Sequence, residues 1–263
     1  MRRTTSWAAL LLGAALLLGA CAPADQSGGS SSSSQSSQST GTDSSQTADF
    51  VFTRENLPRL DGSTSTVPLA KAMCGVLLGE DPEATADLVQ FSRTTQSYRN
   101  LMEGTVDLVL AAEPAPEVLE EMKAQDKWLL TPFATDALVF VVNQDNPVDN
   151  LTTEQVQKIY TGEITNWKQV GGSDLEIVAF QRNDGAGSQT LMEKLVMDGK
   201  EMMEAPQAWV PDSMMGLMDA VRDYDNSPSA IGYSVYYYAN DMEMAQGLKV
   251  LSIDGVQPSE ATI

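Results

Sequence analysis

Residues 175–196 read LEIVAFQRNDGAGSQTLMEKLV and are the most informative stretch of the sequence. Leu175–Phe180 is apolar enough for a buried strand, and residues 190–197 have the spacing of a helix. A glycine-rich turn that carries Arg182 joins the two. Such a turn directs unpaired backbone N–H groups and a guanidinium into one small volume, which suits an anion. The alternative is a purely structural loop in which Arg182 pairs with Asp184 at the surface, and the motif alone leaves both open.

Strands and helices continue to alternate on both sides of this stretch. Apolar runs predict strands at residues 88–91, 106–112, 137–142 and 230–237. Helical patterns lie at residues 69–78, 93–102, 118–125, 152–160 and 212–224, and Thr152 with Gln155 forms a capping-box pattern. This alternation predicts the α/β class, with mostly parallel sheets flanked by helices.

Small hydroxyl residues begin three of the predicted helices, at Ser63–Thr66, Thr94–Ser97 and Gly187–Thr190. N-capping explains any one of them on its own. In a parallel sheet, however, ligands bind at the edge where the strands end and the helices begin. The three helix starts together with Arg182 therefore favour a neutral, donor-rich pocket for an oxyanion.

Charge and composition exclude several classes of function. The formal net charge is −20, and it becomes −22 if Arg2 and Arg3 are removed with a signal peptide. Such a surface repels nucleic acid and also repels anions at long range, so an anion site must act through local donors. The chain has no histidine, which removes histidine-based catalysis and imidazole metal sites. We predict a protein that is not an enzyme and that uses neither a metal nor a cofactor.

The N-terminus predicts an anchored extracytoplasmic protein. Residues 1–20 have a basic start and a short apolar run, as in a signal peptide, and Leu-Gly-Ala-Cys resembles a lipobox that ends at Cys21. Residues 21–48 are rich in Ser, Gln and Thr and predict a disordered tether. The other cysteine, Cys74, lies in an apolar stretch and is predicted to be a buried core residue.

Long ordered matches beyond these features resemble one family, the phosphate-binding lipoproteins of bacterial ABC importers. The matching stretches are GSTSTVPLA (62–70), LTTEQVQKIYTGEITNWKQVGG (151–172), RNDGAGS (182–188) and PSAIGYSVYYYA (228–239). The resemblance implies a two-lobed periplasmic-binding-protein type II fold, with the ligand in the cleft between lobes that close about a hinge. It also implies a monomer that delivers its ligand to a membrane permease with a cytoplasmic ATPase.

Lobe boundaries follow from the same resemblance. Residues 49–142 together with about 239–263 are expected to form the first lobe, and residues from about 143 to 238 the second. Family members usually continue beyond the segment LSIDGVQPSEATI (251–263), so a chain that ends at Ile263 is expected to close its cleft less securely.

Binding residues carry over from the family position by position. The resemblance implies that Arg182 is the guanidinium of the site and that Asp184 orients it. It implies that Gly187 and Ser188 bind from the second lobe. From the first lobe it implies binding by Thr94 and Thr66, with Ser63, Thr64 and Ser65 as further contributors from the same loop.

Two positions depart from the family pattern. Ala186 stands where a serine is usual, which removes one hydroxyl donor. Ala112 stands where the family has an aspartate that accepts the proton of hydrogen phosphate, and Glu113 follows it. We expect Glu113 to turn inward and take that role, because an acceptor carboxylate rejects fully ionised sulfate. If it does not, the site weakens or prefers another oxyanion.

The sequence therefore predicts a lipid-anchored solute-binding protein for phosphate. One alternative ligand is sulfate or a small organic anion. The other alternative is a surface adhesion or signalling lipoprotein with a degenerate pocket.

Overall fold

Short strands alternate with helices throughout residues 51–226 and 228–263, the part of the chain that the computed structural model describes. The strands are β1 (Leu60–Gly62), β2 (Leu108–Leu110), β3 (Leu138–Asn143), β4 (Asn150–Leu151), β5 (Val178–Ala179), β6 (Ala230–Val235), β7 (Leu248–Val250) and β8 (Ser252–Ile253). The α-helices are α1 (Val67–Leu78), α2 (Thr94–Glu103), α3 (Pro116–Gln125), α4 (Thr153–Tyr160), α5 (Gly187–Met192), α6 (Met214–Asp223) and α7 (Tyr236–Asn240). The predicted signal peptide (1–20), Cys21 and the predicted tether (21–48) lie outside the described residues.

Local sequence signals set most of the helix ends. The predicted capping box of α4 is confirmed, because Thr152 Oγ1 accepts a hydrogen bond from the backbone N–H of Gln155 at 3.1 Å and Gln155 Oε1 accepts one from the backbone N–H of Thr152 at 2.8 Å. Helix α1 ends at Gly79, whose φ of +68° is the left-handed conformation that glycine adopts without cost. The strand predicted at residues 88–91 is wrong, since a 3₁₀ helix (Pro82–Leu88) ends at its first residue and residues 89–91 form no regular secondary structure.

Three sheets organise the described residues. Strands β1 and β2 form a parallel pair, and β4 and β8 form another. The largest sheet has the order β5-β6-β3-β7, in which β5 runs parallel to β6 while β3 is antiparallel to both β6 and β7. The α/β class is confirmed, and its two small sheets are parallel, whereas the four-stranded sheet is mixed.

The hydrophobic core is divided between two lobes. The first lobe contains the β1–β2 sheet with α1–α3, and Cys74 lies fully buried there as a free thiol, as predicted. The second lobe contains the four-stranded sheet with α4–α6. Its core includes three packed aromatic rings from Phe140, Tyr160 and Tyr233, whose centroids lie 5.5–6.4 Å apart.

Strand pairing corrects the domain prediction for two segments. We expected residues 137–142 and the chain from about 239 in the first lobe, but β3 is a central strand of the second lobe and β7 pairs with it. Strand β8 adds to β4, and Leu251 is buried in the second-lobe core. The apolar side chains of residues 248–253 pack in the second-lobe core, and this packing holds the segment in the second lobe. For the rest of the chain the predicted boundaries stay a prediction.

Candidate functional site

Residues 175–196 also build the centre of the site. Strand β5 is buried and leads into a turn in which the Ala186 N–H donates to the Asn183 carbonyl at 3.1 Å. Gly185 adopts φ +81° in that turn, a conformation that other residues reach only with strain. Helix α5 then begins at Gly187. The predicted order of strand, glycine turn and helix is confirmed.

Arg182 is buried, with 6% of its surface exposed. Its backbone N–H donates to the Tyr233 hydroxyl at 2.9 Å and to Gln189 Oε1 at 3.2 Å. Its guanidinium donates long hydrogen bonds to the backbone carbonyls of Pro211 at 3.3 Å and Asp212 at 3.4 Å. It also donates to the thioether sulfur of Met214 at 3.8 Å. These contacts fix the direction of the side chain, and no carboxylate among the described residues forms an ion pair with it.

In the described structure, Asp184 does not pair with Arg182. The Asp184 side chain is exposed, and the guanidinium contacts carbonyls of residues 211–212 instead. The loop turns at Gly185 so that Asp184 faces solvent. The structure does not bring Asp184 to Arg182, so its orienting role stays a prediction, and within the described residues no carboxylate forms an ion pair with Arg182.

Ser188 lines the same pocket and carries an orphaned group. Only 5% of the residue is exposed, and its Oγ has no hydrogen-bond partner in the described structure. Buried hydroxyls are almost always paired, because an unpaired one loses its hydrogen bonds to water without replacement. A ligand oxygen in the pocket would supply the missing partner.

Thr94 approaches the pocket from the first lobe. It is 2% exposed, and a Cβ placed on Gly187 would lie 2.6 Å from Thr94 Oγ1. The neighbouring Thr95 N–H donates to the Gly185 carbonyl at 3.2 Å. The start of α2 thus packs directly against the glycine turn, and the structure brings Thr94, Gly187, Ser188 and Arg182 together, as predicted.

The hydroxyl loop after β1 divides into two parts. Ser63, Thr64 and Ser65 line the pocket. Thr66 does not line it, because its hydroxyl donates to the backbone carbonyls of Leu110 at 2.6 Å and Ser63 at 2.9 Å. The predicted ligand contact of Thr66 is therefore replaced by a structural one that ties the loop to β2.

Glu113 turns away from the pocket. Its carboxylate is exposed and pairs with Lys194 of the second lobe. Ala112 lines the pocket in its place. The structure does not place Glu113 in the pocket, and its role as acceptor of a ligand proton stays a prediction.

Two further residues shape the pocket without having been singled out from the sequence. Arg93 lines it from the residue just before α2, at φ +77° and ψ 165°. Ser213 lines it from the start of α6, where its Oγ accepts a hydrogen bond from the Gly216 N–H at 2.9 Å. The unusual backbone conformation of Arg93 cannot be predicted from its residue type. A serine before a helix, such as Ser213, is normally explained as an N-cap.

Asp61 is a third residue that the sequence reading missed. Its buried carboxylate accepts hydrogen bonds from the Gly62 and Ser92 backbone N–H groups, both at 2.7 Å, and from Asn100 Nδ2 at 2.8 Å. It thereby joins the two first-lobe loops that reach the pocket, the one after Gly62 and the one before Thr94.

Burial and like charge act together on Arg182. Removal from water lowers the pKa of its guanidinium, and the positive charge of Arg93 lowers it further, while the nearby Tyr233, Tyr238 and Asp212 oppose the shift. The guanidinium remains protonated at neutral pH because its ordinary pKa is so high. The pocket, with a volume of about 70 Å³, has room for a small ion and a few waters.

The described residues contain no group of ligands suited to a metal ion, and none of their helices is long and apolar enough to cross a membrane. The fold and the pocket define a two-lobed α/β protein with a small pocket lined by two arginines and several hydroxyl side chains.

Comparison with known proteins agrees with this class. The family model described as the PBP superfamily domain matches residues 30–263, so the chain belongs to the PBP superfamily. The phosphate-binding protein PstS of Bacillus subtilis (strain 168) is 29% identical over 206 residues, which cover 78% of this chain and 64% of that protein. The chain thus spans slightly less than two thirds of this relative.

Two solved structures share the fold. One, from Clostridium perfringens, is assigned as a phosphate ABC transporter substrate-binding protein and contains bound phosphate; its TM-score is 0.60 at 26% identity, with 77% of this chain and 78% of that chain covered. The other is an ABC-type phosphate transport receptor from Vibrio cholerae, with a TM-score of 0.55 at 26% identity and coverage of 78% and 79%.

Proposed function

We propose that this protein is an extracytoplasmic solute-binding protein that captures phosphate, or a closely related tetrahedral oxyanion, for an ABC importer. The observation that carries the proposal is the presence in one pocket of a buried cation without an ion pair and a buried hydroxyl without a hydrogen bond. Arg182 is a buried cation without a carboxylate partner in the described structure, and Ser188 Oγ is a buried hydroxyl without any partner there. An oxyanion would satisfy both.

Each lobe has a defined part in this proposal. Arg182 supplies charge-assisted hydrogen bonds, which can be bidentate to two oxygens of one ligand. Ser188 and Gly187 approach the ligand from the second lobe. Thr94 and the hydroxyls of Ser63–Ser65 approach it from the first. Because donors come from both sides of the cleft, the ligand stabilises the closed arrangement of the lobes.

The surroundings of the site favour binding over catalysis. The chain has no histidine, and the residues that line the pocket include no carboxylate that could act as a base. The named relatives and solved neighbours are phosphate-binding proteins and transport receptors, which supports an importer as the partner. We propose further that the protein is a monomer held at the outer face of the cell membrane by a lipid on Cys21.

Equilibrium titration with inorganic phosphate tests the proposal. We expect saturable binding with one phosphate per chain, measured by isothermal titration calorimetry, and loss of that binding in Arg182→Ala. Arg99→Ala is the matched control, because Arg99 is exposed on α2 and does not line the pocket. Absence of phosphate binding in the wild-type protein, or equal weakening by both substitutions, would contradict the proposal.

The importer part requires a separate measurement. Phosphate uptake by cells that lack the gene should fall, and re-expression of the wild-type chain should restore it where Arg182→Ala does not. Cys21→Ala should release the protein from the membrane fraction if the lipid anchor is present. Normal uptake in the deletion strain would instead favour a surface role in adhesion or signalling.

One observation favours a second ligand. The pocket lacks the carboxylate acceptor that would reject fully ionised sulfate, because Ala112 occupies that position and Glu113 lies outside. Sulfate is therefore the alternative ligand for the same site.

A further inference from the structure

The charged side chains that line the pocket are both positive. Arg93 reaches it from the first lobe and Arg182 from the second, and no carboxylate is among the lining residues. Glu113, the carboxylate residue that follows the lining residue Ala112, is not among the lining residues and pairs with Lys194. Two cations that face one small space repel each other, so a ligand with negative charge between them relieves an unfavourable interaction as well as forming new ones.

Arg93 occupies an unusual backbone conformation. Its φ of +77° with ψ of 165° lies in a region that is essentially reserved for glycine. Such strain persists only where the surroundings impose it, and it is concentrated at functional sites. Here Asp61 holds the preceding residue, Ser92, and the contact of Thr95 with Gly185 holds the start of α2.

The Arg93 side chain is also uncommitted. It forms neither a hydrogen bond nor an ion pair with any of the residues that the structure describes, whereas Arg54 and Arg59 of the same lobe are each paired with carboxylates. Arg99 on the exposed side of α2 is likewise unpaired among the described residues, so the missing partner alone does not assign a role. Arg93 differs from Arg99 because, although it is also exposed, it lines the same pocket as Arg182.

We infer that Arg93 is a second ligand-binding arginine and that the pocket selects tetrahedral oxyanions by their negative charge rather than by a proton on the ligand. The inference rests on the proposed function and assigns its specificity. A carboxylate acceptor excludes sulfate because two lone pairs would face each other. Serine and threonine hydroxyls can donate or accept, so the hydroxyls of this pocket satisfy sulfate and hydrogen phosphate alike.

Competing titrations with phosphate and sulfate test the inference. For the wild-type protein we expect dissociation constants within about tenfold of each other, because the site has no group that penalises the unprotonated ion. Arg93→Gly should weaken both ligands about tenfold or more, because one charge-assisted contact is lost. Arg99→Ala removes the same charge from the exposed side of α2 and should leave both constants nearly unchanged.

The stability of Arg93→Gly separates a binding role from a structural one. Glycine adopts the observed φ and ψ without strain, so the ligand-free variant should have an equal or higher Tm while it binds more weakly. A purely structural arginine would give the reverse, a lower Tm with unchanged affinity.

Ala112→Asp supplies the converse test. A carboxylate at this pocket position should weaken sulfate by about a hundredfold while hydrogen phosphate stays within about tenfold, since only the latter carries a proton to donate. Wild-type protein that binds phosphate but rejects sulfate would overturn the charge-selection inference and leave the proposed function standing. Unchanged affinities in Arg93→Gly would overturn the role of Arg93. Failure to bind either ion would overturn both the inference and the proposed function.

Discussion

Gly187 lies where the start of α2 meets the glycine turn, and enlarging it tests how the cleft closes. A Cβ at this position would lie 2.6 Å from Thr94 Oγ1, which is 0.8 Å inside the 3.4 Å at which ordinary van der Waals contact begins. In Gly187→Ala, therefore, either the lobes move apart by a comparable distance or Thr94 turns its hydroxyl away from the pocket. Both responses remove a ligand contact from the first lobe.

The size of the effect follows from this displacement. A ligand hydrogen bond of about 2.8 Å that lengthens by 0.8 Å passes beyond 3.5 Å and is effectively lost. A hydrogen bond to a charged group contributes about 1.5–3 kcal/mol, and each factor of ten in affinity corresponds to about 1.4 kcal/mol. The phosphate dissociation constant should therefore rise about ten- to a hundredfold. The same clash is present without ligand, so the preference of helices for alanine over glycine, up to about 1 kcal/mol, offsets only part of its cost, and the ligand-free Tm should change little or fall.

Calorimetric titration with phosphate and thermal unfolding without ligand measure the two effects separately. The same substitution in a Thr94→Ala background is the control, because the clashing oxygen is then absent. We expect the affinity cost of Gly187→Ala to be several times smaller in that background. An equal cost in both backgrounds, or no cost in the parent, would refute the account of closure through this contact.

Three other predictions concern groups around the site and the charge of the first lobe. Ser188→Ala should raise the phosphate dissociation constant about tenfold and leave the ligand-free Tm unchanged or higher, because the lost hydroxyl was buried and unpaired. A lower Tm with unaltered binding would contradict this. Asp61→Asn should lower the free energy of unfolding by about 1–3 kcal/mol, measured by denaturant titration, since at least one buried N–H loses its acceptor. An unchanged midpoint would show that the two loops do not depend on this carboxylate. Arg59 lowers the pKa of Asp107, and Arg54 lowers the pKa of Glu80. The stability contributed by these two carboxylates is therefore present above their unfolded pKa values near 4. It is lost as the pH falls through their lowered pKa values in the folded protein. Unfolding curves from roughly pH 5 to pH 2 should show this loss, and Asp107→Asn should reduce the slope; an unaltered slope would contradict it.

The sequence predicts the second-lobe half of the pocket well because local signals determine it. An apolar strand, a glycine turn and a helix start lie within residues 175–196, and Arg182 and Ser188 are placed by that local geometry. The capping box at Thr152 is local in the same sense. Features of this kind need only neighbouring residues for their explanation.

Contacts between residues far apart in the chain cannot be predicted from the local sequence. Glu113 faces away from the pocket because Lys194, far along the chain, pairs with it. Arg93 reaches the pocket through a strained backbone that residue type does not reveal. Likewise β7 joins the second lobe because β3 offers it an open edge, a choice made by tertiary pairing and not by the residues of β7 themselves.

A crystal structure of the protein grown with phosphate tests the central claim most directly. The account predicts tetrahedral density in the pocket, with one oxygen within hydrogen-bond distance of Ser188 Oγ and others facing the guanidinium of Arg182 and the hydroxyl of Thr94. An empty pocket at saturating phosphate, or phosphate bound elsewhere on the molecule, would contradict it.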